Sequence, residues 1–320
     1  MAIWLSESEV RAVLPLRDLV GAMEAALDAF SAGRVRQPVR TVIEAGAEGG
    51  FFASMPAYAE TSAVMGAKLV TVYQGNARRG MPTHQATIVL QDAENGALLA
   101  VMDGRYITEV RTAAVSALAL RELARGGAAS LALIGSGVQA GSHLEALALV
   151  REFAEVRCWS PTEARRRRFA EAHAGVRAVE SAEGAVRGAD VVLAVTASAT
   201  PVVRNEWVKD GACVIAVGAC RPYQRELDPA LVARGRLIVD SRAAALKEAG
   251  DVVMAMAEGF FGEEHIAAEL GDVVSGRARG RGADDQVVVF KSLGLAVEDV
   301  AAASLAYARA KEMGRGIELE

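Results

Sequence analysis

A chain of 320 residues, 52% of them hydrophobic, is long for a single core and predicts a folded protein of two domains. Its net charge of −5 lacks the basic footprint of a nucleic-acid binder, and apolar runs such as 191–195 and 213–217 are far too short to cross a bilayer. Three cysteines, Cys158, Cys213 and Cys220, suggest no disulfide framework, and His84, His143, His173 and His265 show no metal-ligand spacing, so no metal is expected.

The N-terminus, Met1-Ala-Ile-Trp-Leu-Ser6-Glu-Ser-Glu9, lacks the basic start and small-residue cleavage site of a signal peptide, and Ser6 with Glu9 fits a capping box. A cytoplasmic protein with small-molecule partners and no membrane association is the expectation. Helical periodicity over 10–32 puts Leu19, Met23, Leu27 and Phe30 on one face and stops at Gly33. A β-rich region follows, with strands at 39–44, 50–55, 66–73, 87–91 and 98–102; Glu94-Asn-Gly96 makes the last two a hairpin. Lys68 sits in an otherwise apolar run, which points to a buried cation that needs a partner. A long alanine-rich helix covers 108–123, with Thr112 a candidate for its cap.

From residue 130 onward strands alternate with helices. Strands are predicted at 131–134, 156–159, 176–179, 191–194, 213–217 and 237–240, which implies a parallel sheet with helices on both faces. The fold class is therefore α/β: a Rossmann doubly wound sheet over about 124–289, and an α+β domain over 1–123. The final helix, 295–311, returns to the α+β domain, so that 290–320 belongs with it.

The most informative stretch is Ser130-Leu-Ala-Leu-Ile-Gly135-Ser-Gly137-Val138-Gln139-Ala140, a buried strand that breaks into a glycine turn and starts a helix. Such a turn offers backbone N–H groups and a positive helix N-terminus to an anion, as in the pyrophosphate cradle of a dinucleotide fold. Gly135 permits the turn, Gly137 close approach of the ligand, and Ala140 close packing. The following helix, 141–152, and the strand 156–159 complete a mononucleotide-binding unit. At the end of that strand NAD enzymes usually carry Asp or Glu for the ribose 2′-OH, whereas this chain has Ser160-Pro-Thr162. Ser160, Thr162 and Arg165 or Arg166 could receive the phosphate of NADP, while Arg167 and Arg168 read as a solvated basic face. NADP is therefore expected to be preferred, with NAD possible. Thr196 and Ser292 are counted among the cofactor contacts.

Several blocks outside the turn give the chain a wider resemblance. They are Gln37-Pro-Val-Arg40-Thr, Met55-Pro-Ala-Tyr58, Ala67-Lys68-Leu-Val-Thr71, Pro82-Thr-His84-Gln-Ala, Val101-Met-Asp-Gly104, Arg111-Thr112-Ala-Ala-Val-Ser116, Val217-Gly-Ala-Cys220-Arg-Pro222, Arg225-Glu-Leu-Asp228 and Phe290-Lys291-Ser-Leu-Gly294. In order and spacing the chain resembles the ornithine cyclodeaminase/mu-crystallin family, and mu-crystallin more than the cyclodeaminases. The resemblance implies a homodimer whose first domain carries the subunit interface and the substrate pocket. It implies that Arg40, Lys68 and Arg111 bind substrate, with His84 beside them, and that the helix start at Thr112 touches the cofactor phosphates. Read without it, Arg40 is also compatible with a surface strand residue and His84 with a hydrogen-bonded packing histidine. Two guanidinium groups can hold an α-carboxylate, and Lys68 can serve the imine nitrogen as proton donor or electrostatic anchor.

One departure matters. Ornithine cyclodeaminases resemble this chain but carry Asp where it has Cys220, and an uncharged thiol cannot replace a carboxylate facing a cationic amine. The expected activity is NAD(P)H-dependent reduction of cyclic ketimines such as pyrroline-2-carboxylate or piperideine-2-carboxylate. An alanine-type dehydrogenase and an ornithine cyclodeaminase are the alternative enzymes, and an NADP-dependent ligand-binding protein the non-enzymatic one.

Overall fold

A computed structural model describes residues 1–46 and 49–319, which divide into two compact units, 1–114 with 294–320, and 115–293. The division falls inside the helix Arg105–Leu123, which begins a turn earlier than its alanine-rich stretch suggests. At the other end residues 290–293 stay with the second unit.

The first unit is built on a mixed sheet. Its strands are β1 (Ala2–Leu5), β2 (Val35–Arg36), β3 (Thr41–Ala45), β4 (Gly50–Ala59), β5 (Val64–Val72), β6 (His84–Asp92) and β7 (Leu98–Asp103). The order is β1-β7-β6-β5-β4-β2, with β3 also paired to β4 and a last strand, Ile317–Leu319, added antiparallel to β1. The Ser6 capping box forms: the Ser6 hydroxyl accepts from the Glu9 amide, and the Glu9 carboxylate accepts from the Ser6 amide at 2.8 Å. The periodicity over 10–32 is interrupted, however. Two helices, Glu7–Val13 and Leu16–Ser31, replace the single one expected, because Pro15 has no N–H to continue the first and instead precedes the start of the second. The helix Ala296–Glu312 packs on β4, β5 and β6, with Val300 against the face that carries Gly66 and Lys68.

The second unit has eight strands: β8 (Ser130–Ile134), β9 (Glu155–Trp159), β10 (Val176–Ala178), β11 (Val191–Ala194), β12 (Cys213–Ala216), β13 (Arg236–Val239), β14 (Ile266–Glu269) and β15 (Val288–Lys291). Their order is β10-β9-β8-β11-β12-β15-β13-β14, and every pairing is parallel. The alternation seen in the sequence accounts for the six predicted strands; β15 inserts between β12 and β13, and β14 forms the far edge. The direction of winding reverses between β8 and β11, and ligands of doubly wound sheets sit at the carboxyl ends of the strands at such a point. β11 and β12 are buried along their whole length, as strands covered on both faces must be.

Candidate active site

In the second unit the turn after β8 leads into a helix N-terminus through two glycines with different duties. Gly135 has φ +129°, and a side chain there would meet Val195 at 2.9 Å, so the turn is closed to any other residue. Gly137 differs: a Cβ built on it meets nothing within 4 Å, and no side chain caps the helix Val138–Ala148 that follows. That open approach to a helix N-terminus fits a pyrophosphate. Ala140 is fully buried, and the helix starts at Val138, three residues before the expected 141. The Gln139 Oε1 atom is buried without a hydrogen-bond partner.

At the end of β9 the Ser136 hydroxyl donates to Ser160 Oγ at 2.8 Å, and Arg166 Nη1 donates to the Ser160 carbonyl at 3.3 Å. Of the two candidate arginines, therefore, Arg166 lies over the strand end, while Arg165 is exposed. Arg167 pairs with Glu163 at 2.6 Å on the exposed face. Thr162 is the residue before the helix Glu163–Ala172 and makes no side-chain cap bond.

Thr196, Cys220 and Ser292 belong to the loops after β11, β12 and β15. A buried carboxylate the sequence did not single out ties the first two loops together. Glu226 accepts from the Thr196 amide and hydroxyl, from the Gly218 amide at 2.7 Å and from the Ala219 amide at 3.1 Å. Asp251 accepts from the Glu226 and Leu227 amides at 2.8 and 2.9 Å. Lys291, 1% exposed, pairs with Asp251 at 3.0 Å and donates to the Ala219 carbonyl at 2.6 Å. Ser292 Oγ donates to Asp240. Cys220 is half-buried, unlike Cys158 and Cys213, whose thiols burial pushes up to about 12.

In the first unit the structure brings Arg40, Lys68, Arg111 and His84 into one electrostatic cluster. β5 turns Lys68 inward, and the side chain is 2% exposed. Its Nζ lies 2.7 Å from Asp299 Oδ2. Arg111 donates through Nε to Asp299 Oδ1 at 3.0 Å and through Nη1 to Glu298 at 2.6 Å. Gly294, at φ +81°, lets that guanidinium lie against the backbone, since a Cβ there would sit 2.3 Å from Arg111 Nη1. Arg40 donates to the Gly294 carbonyl at 3.1 Å. Both carboxylates stand in the first turn of the Ala296–Glu312 helix, where the helix dipole favours an anion. Among these five charged groups three cations face two carboxylates, leaving a positive charge that a substrate carboxylate can neutralise. Thr112 does not cap a helix; it lies inside Arg105–Leu123, and its hydroxyl donates to the Thr108 carbonyl at 2.6 Å.

The electrostatics follow from this crowding. Burial, with Arg111 and Arg40 adding to it against the pull of Asp299, brings Lys68 down to about 8. Burial, together with Lys68 and Arg111, brings His84 down to about 4, so its ring is neutral near pH 7. Asp299 is held below the usual carboxylate range: burial opposes its charge, but Arg111 and Lys68 outweigh it. Glu298 and Asp299 went unassigned in the sequence, although adjacent acids at the head of an apolar helix were a visible signal.

The fold defines a dinucleotide-binding protein whose other unit carries a cluster of buried cations and carboxylates. The chain belongs to the ornithine cyclodeaminase/mu-crystallin family, whose pattern matches residues 2–314. It is 47% identical over 293 residues to the ketimine reductase mu-crystallin of Rattus norvegicus, covering 90% of this chain and 91% of that one. The solved structure of Thermococcus litoralis Δ1-pyrroline-2-carboxylate reductase in complex with NADH and L-proline matches with TM-score 0.96 and 35% identity, over 99% of this chain and 100% of the other. An archaeal alanine dehydrogenase dimer with bound NAD matches with TM-score 0.94 and 31% identity, over 100% of this chain and 99% of the other.

Proposed function

We propose that this chain reduces cyclic ketimines that carry a carboxylate beside the C=N bond, giving cyclic amino acids such as proline. The observation that carries the reading is Lys68, a buried ammonium poised near neutral pH beside two guanidinium groups. When bound, the reduced nicotinamide supplies the hydride to the imine carbon. Arg40 and Arg111 hold the substrate carboxylate by charge-assisted hydrogen bonds and so fix the adjacent carbon. Lys68 holds a proton at Nζ for the imine nitrogen, and a general acid works best with a pKa near the operating pH. His84, neutral, adds no competing charge. The chemistry fits the likeness to a pyrroline-2-carboxylate reductase solved with proline.

In the second unit Gly135, Gly137 and the start of the Val138–Ala148 helix hold the pyrophosphate. Ser160, with Ser136 and Arg166, receives the 2′-phosphate, so NADPH is the preferred cofactor. Cys220 offers no carboxylate to a substrate amine, which disfavours ornithine cyclisation. The likeness to an alanine dehydrogenase supports a second reading, amination of a small 2-oxo acid through the same cationic site.

The active species is a homodimer. The face of the first sheet opposite Lys68 carries the row Trp4, Val101, Val89, Ala67 and Pro56, matched in register across five strands and half-buried in the single chain. Leu69 beside it is 39% exposed, and a second copy of the sheet would cover these apolar groups. Two measurements test the proposal: consumption of NADPH by purified protein given pyrroline-2-carboxylate, against pyruvate with ammonia, and the mass in solution of the parent and of Val89→Arg. No turnover of the cyclic imine removes the function, and a monomeric parent removes the dimer.

A further inference from the structure

Arg111 and Lys68 are held on opposite oxygens of one side chain. Asp299 is fully buried, with Oδ1 3.0 Å from Arg111 Nε and Oδ2 2.7 Å from Lys68 Nζ. We propose that Asp299 is a positioning residue of the reductase, which fixes the Lys68 ammonium against Arg111 and keeps it protonated in the working pH range. This rests on the reading of Lys68 as the proton donor.

The charges around Lys68 make such a residue necessary. Burial removes the water that would otherwise stabilise the ammonium, and Arg111 and Arg40 both repel it. His84, from β6, is uncharged near neutral pH and so adds neither repulsion nor an opposing charge. The Ala296–Glu312 helix brings the opposing charges: Asp299, which reaches Lys68, and Glu298, which pairs with Arg111. The division of labour is unequal. Glu298 pairs with the carboxylate-binding arginine, whereas Asp299 couples that arginine to the proton donor, so that the distance between the two functions is set by one carboxylate group. Its site in the first helical turn lowers the cost of keeping that carboxylate ionised without water.

The test compares pH profiles. In the parent enzyme kcat/KM should fall as pH rises through about 8, because deprotonation of Lys68 removes the acid. In Asp299→Asn, an isosteric change that removes the charge, the ammonium is less stable and the fall should move to lower pH by about one to two units, the effect of losing a close opposite charge. Turnover at pH 7 should then drop about two- to tenfold and be regained as the pH is lowered, which a merely structural role would not produce. Glu298→Gln should raise KM through Arg111 while leaving the limb where the parent has it. An Asp299→Asn enzyme whose limb stays near 8 overturns the inference. Unchanged turnover in Lys68→Ala instead overturns the proton-donor reading beneath it. If Asp299→Asn does not fold, Asp299→Glu decides: it keeps the charge but shifts the contact by a methylene, so turnover should fall with the limb in place, and full turnover rejects the positioning role.

Discussion

Lys68 and Lys291 are both almost completely buried, at 2% and 1% exposure, yet they are driven in opposite directions. Burial opposes the charge of each. For Lys291 the attraction of Asp251 and Glu226 outweighs burial and lifts its pKa above the ordinary lysine value; for Lys68 one carboxylate competes with two guanidinium groups, and the pKa falls to about 8. The neighbours, not the depth, decide whether a buried lysine is a strut or an acid. Lys291 holds loops together in the second unit. Lys68 is kept in an arrangement that favours release of its proton, and a site that must give up a proton gains from that.

The comparison can be broken most sharply by removing each ammonium. Lys68→Ala should lower kcat by about 100- to 10,000-fold, the range supplied by a positioned general acid, with the thermal midpoint little changed and NADPH still bound. Near-parent kinetics would reduce Lys68 to a structural residue like its counterpart. Lys291→Met should do the reverse. It strands Asp251 and Glu226 without their cation, a loss of about 3–5 kcal/mol that should lower the melting temperature by about 10 °C. A fully stable Lys291→Met protein with impaired turnover would assign that lysine to chemistry.

Smaller effects sharpen the division between the two units. Arg111→Ala should raise the substrate KM about ten- to hundredfold by removing charge-assisted hydrogen bonds of about 1.5–3 kcal/mol, and steady-state titration of the imine reads it directly. A substitution in the other unit should leave that KM alone: Ser160→Asp places a carboxylate where the 2′-phosphate is expected and should turn a ten- to hundredfold preference for NADPH into one for NADH. Equal efficiency of the parent with both cofactors would refute the proposed phosphate site. The mildest change is Cys220→Ser, which preserves a small polar group and should keep imine reduction within about tenfold. The parent should release no ammonia from L-ornithine with NAD, and robust release would show that Cys220 does not exclude cyclisation.

Much of this protein is decided by short-range rules. The alternating strands of the second unit, the Ser6 capping box and the Gly135 turn are written in neighbouring residues, because periodicity and backbone sterics act over a few positions. The same rules exposed Lys68 as a cation in an apolar run and Ser160 as the residue in place of an acid. Pro15 was equally local, and a helix drawn through it ignored its missing N–H. What pairs with those residues was not local. Asp299 stands 188 residues from Arg111, and Glu226 30 residues from the Thr196 amide it accepts from. Arg166, not the exposed Arg165, meets Ser160 because of the direction in which one helix leaves one strand. An ion pair is selected by the distance between charges in the folded chain, and only the tertiary structure sets that distance. The sequence by itself determined which residues are ionisable and where most strands of the second unit lie; the fold decided which charges are paired, and so that Lys68, unlike Lys291, is held below the ordinary lysine pKa.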